Sequence, residues 1–126
     1  FTTSSETPTE VGFASVLLDE IDELYLNSFC FGFRPLSLKA LLPQFSSYLF
    51  RSQKVRKEIV KLAQGSTRYN MSKVQLMKII VALPVLKEQK KISSFLTKLD
   101  EKIDSISSQI DKTKEFKKGL LQQMFV

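Results

Sequence analysis

The feature that most constrains this chain is a C-terminal run of mainly apolar residues spaced alternately three and four apart. Leu96, Leu99, Ile103, Ile106, Ile110, Thr113, Lys117, Leu120 and Met124 make up the run, and Ile92 extends it one step upstream. This spacing keeps one stripe of side chains on a single face of an α-helix. No proline interrupts it, and only Gly119 weakens the helix, near its end. About 36 residues at ~1.5 Å each make a rod of about 54 Å. A rod of that length cannot bury its stripe along a globule built from the preceding residues, 1–85. The seam of Ile92, Leu96, Leu99, Ile103, Ile106, Ile110, Leu120 and Met124 is therefore expected to meet another helix, from the same protein or from a partner. Thr113 and Lys117 are polar seam positions that can set register or leave a gap. An ordinary core helix is the competing reading.

Upstream, the pattern is mixed. Phe1–Ser4 suits the end of a strand, and a chain opening on Phe-Thr-Thr with no initiating Met is expected to be a piece of a longer protein. The stretch 5–12 carries Pro8 and Gly12 without helical period and reads as a loop. Tyr25–Phe33, rich in aromatic and small residues, is expected to be a largely buried strand. Pro43 suits the first turn of a helix, with Phe45, Tyr48 and Leu49 on one face. Val55, Ile59, Val60, Leu62 and Ala63 mark a second helix, with Gly65 as its stop. Ser72 is placed to cap a short helical turn. Lys78–Leu83 is β-branched and reads as a strand closed by Pro84. The expected fold class is α+β: a small mixed α/β domain over residues 1–85, then a long coiled-coil helix over 86–126.

Charge is distributed unevenly. The chain carries a net charge of +6, yet residues 1–50 balance to −4, residues 51–91 to +9 and residues 92–126 to +1. The positive excess sits in one middle segment, either as a solvated lysine-rich face or as a surface for a polyanion. The near-neutral helix downstream is suited to protein contacts. No apolar run reaches the length needed to span a membrane, and the first ten residues are not a signal peptide.

Composition narrows the chemistry. With no histidine in the chain, the commonest general base is missing, and zinc sites built from Cys and His are excluded. The single cysteine, Cys30, lies in an apolar run and reads as core. One cysteine allows no intrachain disulfide, which fits a reducing cytoplasm. Asp19, Glu20, Asp22 and Glu23 read as a solvated turn in preference to a metal site. The four glycines are scattered and form no phosphate loop. No enzymatic reaction and no cofactor are expected.

The polar stretch after the second helix is the best recognition candidate. Gln64, Arg68 and Asn70 have donors and acceptors suited to base edges, and Ser66, Thr67 and Lys73 can position phosphates. Tyr69 adds a flat face. Arg51, Lys54, Arg56, Lys57 and Lys61 extend the basic surface upstream. On side-chain chemistry alone, a plain helix-to-strand connection explains the loop equally well.

The order of short motifs adds a family. Gln64-Gly65-Ser66-Thr67-Arg68-Tyr69-Asn70, Ser72-Lys73, Leu76-Met77-Lys78-Ile79, Leu83-Pro84 and Glu88-Gln89-Lys90-Lys91-Ile92 together resemble the specificity (S) subunit of type I restriction-modification systems. The tail motifs Phe95-Leu96, Leu99-Asp100, Ile103 and Lys117–Phe125 resemble that family's helical spacer, and Phe1–Glu6 and Asn27-Ser28-Phe29 its target recognition domain. The resemblance implies a recognition domain over 1–85, without its N-terminal part, and a spacer helix over 86–126. It further implies that the chain reads one half of a split double-stranded DNA target and has no active site of its own. The family's two spacer helices pack antiparallel, and modification (methyltransferase) subunits dock on the assembly. An isolated chain is expected to form a homodimer through its unpaired helix. A coiled-coil assembly protein with incidental basic charge is the alternative from another class.

Overall fold

The computed structural model of the chain describes residues 1–19 and 21–125. Six elements follow in order: β1 (Ser4–Ser5), α1 (Pro43–Leu49), α2 (Gln53–Val60), β2 (Tyr69–Asn70), α3 (Lys73–Leu76) and α4 (Leu86–Met124). The regular structure is thus mostly helical, with short strands. The chain falls into two compact units, Phe1–Lys90 and Lys91–Val126, so the first turn of α4 belongs to the first unit.

In the first unit, α1 begins at Pro43, whose missing N–H falls where a helix has no acceptor for it. Ser46 Oγ and Ser47 Oγ donate back to the carbonyls of Pro43 and Gln44 at 2.7 and 2.8 Å. The chain turns through Phe50 to Ser52, whose hydroxyl caps α2 by accepting from Val55 N–H at 3.5 Å. Val55 and Ile59, one turn apart, are the buried side of α2. They form the core with Val11, Met71 and Leu76.

Gly12 packs against Ile59 and Met71 of that core with φ +69°, and a Cβ there would stand 2.5 Å from Ile59 Cγ2. Only glycine accommodates both the left-handed backbone and the close approach. The loop that presents Gly12 is tied down by Arg56 from α2. Its Nη1 donates to Gly12 O at 2.8 Å, and its Nη2 to Thr9 O at 2.6 Å and Val11 O at 2.8 Å. The guanidinium also lies 4.6 Å from the Phe13 ring centroid, and partial burial lowers its pKa from the ordinary arginine value. In the same loop, hydroxyls of Thr7 and Ser5 donate to Glu10 and hold its carboxyl below the usual range.

Gln89 closes the unit. It is 1% exposed. Its Oε1 accepts from Leu42 N–H at 2.9 Å, and its Nε2 donates to Ala40 O and Pro84 O, both at 2.8 Å. One side-chain amide therefore satisfies three backbone groups from two separate segments.

Two expected strands are not formed. Within Tyr25–Phe33 only residues 29–31 run along the N-terminal segment, through Thr3 N–H to Phe29 O at 2.7 Å and Phe31 N–H to Phe1 O at 3.0 Å. Tyr25 is 84% exposed, so this is no buried strand. Lys78 still belongs to the turn after α3, and in 79–83 Ile79 and Val81 pack against the core with Ile80 outside. Residues 79–81 alternate like a strand, but among the described residues no neighbouring strand pairs with them. Cys30, read as core, is only half-buried. Ser72 stands at the N-cap of α3 without a side-chain capping bond. Helix α2 ends at Val60, and Gly65 serves the following loop instead of stopping the helix.

The second unit is the remainder of α4. The helix has 39 residues, about 58 Å at the standard rise. Its seam is open: Ile92, Leu99, Ile103, Ile106, Ile110, Leu120 and Met124 are all exposed, and Leu96 is half-buried. Thr113 Oγ1 donates to Gln109 O at 2.7 Å, turning the hydroxyl back onto its own helix.

Candidate nucleic-acid interface

The loop after α2 is closed at its base. Gln64 and Asn70 exchange backbone bonds of 2.9 and 2.8 Å, so Gly65–Tyr69 form a short excursion between them. Gly65 makes the excursion possible: at φ +133°, any Cβ would overlap the Arg68 carbonyl oxygen. Asn70 has a second partner, because β2 pairs antiparallel with β1 in the register Ser4↔Asn70 and Ser5↔Tyr69. The loop is thereby docked on the N-terminal segment, and Met71 N–H continues the attachment to Thr3 O at 2.8 Å.

This docking decides where Arg68 lies. Its Nε donates to Ser4 Oγ at 2.7 Å, and the guanidinium carbon stands 5.0 Å from the centroid of the Phe29 ring. Arg68 remains exposed. Neither Ser4 nor Phe29 is recognisable as a partner in the sequence, since both are far from Arg68 along the chain. Asn70 Nδ2 donates to Arg68 O at 3.3 Å and steadies the loop from within. Ser66, Thr67 and the Gln64 side chain are exposed beside it. Tyr69 is half-buried and packs against the core, so its ring supports the loop from below.

The remaining basic candidates divide by geometry. Lys54 and Lys57 on α2 and Lys61 at its C-cap follow a spacing of three and four and are all exposed. Lys61 is paired with Glu58 at 2.6 Å, both side chains largely solvated, an arrangement of small energetic weight. Lys73 Nζ stands 5.8 Å from the Phe31 ring centroid. Arg51 Nε donates to Ala14 O at 3.2 Å, and Arg56 is committed to the Thr9–Gly12 carbonyls. Those two arginines bind the chain to itself, while the three lysines and the Arg68 loop face solvent.

Among the described residues no group of three or more His, Cys, Asp or Glu side chains could hold a metal. Glu20 of the acidic stretch lies outside the described residues. No described helix is long and apolar enough to cross a membrane.

The family model for the type I restriction modification DNA specificity domain matches residues 6–115. The chain belongs to that family. Relatives from Methanocaldococcus jannaschii agree. The MjaX specificity subunit of a type I restriction enzyme is 33% identical over 86 residues, covering 66% of this chain and 20% of the relative. The MjaVIII specificity subunit is 33% identical over 79 residues, covering 62% and 19%. The chain thus matches about a fifth of the length of these relatives. No solved structure matches it.

Proposed function

We propose that the chain is a non-catalytic DNA sequence-specificity module of a type I restriction-modification complex. It reads one half of a bipartite double-stranded target and scaffolds modification subunits through its long helix. The observation that carries the reading is the specificity-domain match across residues 6–115. Residues 1–85 act as the recognition part and residues 86–126 as the spacer. The exposed lysines of α2 dock on phosphates, and the loop around Arg68 meets base edges. The module works in the cytoplasm and needs no cofactor.

The phosphate role has a direct test. In B-DNA, log K falls with log salt by about 0.9 for every phosphate contact made. Lys57→Ala is expected to weaken binding to cognate and random duplexes equally and to reduce that slope by about one. A loss confined to one sequence would contradict it.

The open seam of α4 supports a helix partner. In the complex it pairs antiparallel with a second spacer helix, and in the isolated chain with a second copy. Sedimentation equilibrium is expected to return a dimer that dissociates on dilution. A monomer at high concentration would contradict the pairing. A coiled-coil assembly role with incidental charge remains the second reading, favoured by the self-directed contacts of Arg51 and Arg56. It predicts no duplex binding at physiological salt.

A further inference from the structure

We infer that Arg68 reads a guanine, with Ser4 and Phe29 as the positioning residues that aim it; this rests on the DNA-specificity reading above. The guanidinium carries donors on three nitrogens. Nε is taken by Ser4 Oγ at 2.7 Å, and one face is occupied by the Phe29 ring at 5.0 Å. Among the described residues, Nη1 and Nη2 make no hydrogen bond. The end of the fork is therefore the part that remains, and it offers only donors.

Base edges differ in how they meet such a fork. In the major groove guanine presents two acceptors, O6 and N7, side by side. Adenine sets an amino donor beside its N7, cytosine presents a donor, and thymine has one acceptor next to a methyl group. Only guanine matches both Nη donors at once. The aim matters as much as the chemistry. A side chain held at Nε and across one face loses less rotamer freedom on binding than a loose arginine. The hold comes from three stretches of chain: β1 supplies Ser4, the 29–31 segment supplies Phe29, and the Gln64–Asn70 closure fixes the loop. The exposed lysines of α2 offer charge without such a fixed direction.

The test is enrichment from a randomised duplex pool at one salt concentration, using the full chain and its variants in parallel. The unsubstituted chain is expected to enrich a motif with an invariant guanine. Arg68→Ala and Arg68→Lys are expected to lose the preference at that one position by about 10- to 100-fold, the discrimination of one bidentate contact. The other positions should remain. Ser4→Ala is expected to relax the same position with an unchanged melting temperature, and Ser4→Thr to restore it. Three outcomes overturn the inference. A motif whose guanines all survive Arg68→Ala removes Arg68 as the reader. A uniform loss across all sequences makes it a phosphate contact. No enrichment by the unsubstituted chain overturns the DNA-specificity reading itself, and this inference with it.

Discussion

Replacing Gln89 with Leu is expected to lower the stability of the Phe1–Lys90 unit by about 3–5 kcal/mol, because each buried backbone group left without a partner costs about 1–3 kcal/mol. Leu preserves most of the volume and removes all three hydrogen bonds. The Leu42 N–H loses its acceptor, and the Ala40 and Pro84 carbonyls lose their donor. Gln89 itself is 1% exposed while the three bonds are part-buried, so the cost stays at the lower end of the summed range. For a unit of this size, 1 kcal/mol shifts the melting temperature by about 4–8 °C, so the transition should fall by more than about 12 °C. Tyr25, Tyr48 and Tyr69 are the only tyrosines and the chain has no tryptophan, so tyrosine fluorescence reports this unit without interference from the rest of α4. A shift under about 2 °C would show that the amide is dispensable.

Arg56→Met is expected to cost about 2–4 kcal/mol, since hydrogen bonds from a charged donor contribute about 1.5–3 kcal/mol each and one of the three here is exposed. Met keeps the aliphatic stem and removes the donors to Thr9, Val11 and Gly12. These contacts hold Gly12 against Ile59, so the loss loosens the core as well as the loop. The same variant separates two roles for a basic residue. Because the guanidinium points into the chain's own carbonyls, the salt slope of DNA binding should stay as it was. Undiminished stability together with a slope reduced by about one would return Arg56 to the phosphate-binding surface.

The long helix was legible because its determinants are local: spacing, absence of proline and a sustained apolar stripe. Pro43 and the Val55–Ile59 face were legible for the same reason. The strand expectations failed where local character and partner availability diverge. Lys78–Leu83 has β-branched residues and alternates inside and outside over 79–81, but a strand is defined by a ladder, and among the described residues no neighbouring strand pairs with it. Tyr25–Phe33 is aromatic enough for a core strand, yet only its middle meets the N-terminal segment.

At the site, the loop and its side chains were visible in the residues, while their pairing was not. Formal charge treated Arg51, Arg56, Lys57 and Arg68 alike. Geometry separates them: two arginines are turned onto backbone carbonyls, one is aimed by Ser4 and Phe29, and Lys57 is exposed. Gln89 was visible only as one letter of a family motif, because nothing in spacing or hydropathy marks a buried amide that joins two distant segments.

The central claim is that this chain distinguishes DNA sequences. The most direct measurement is the ratio of its affinities for the duplex it enriches and for a scrambled duplex of the same length, at one salt concentration. The account predicts a ratio of at least about tenfold, the worth of a single good base contact. Equal affinities for the two duplexes would contradict it.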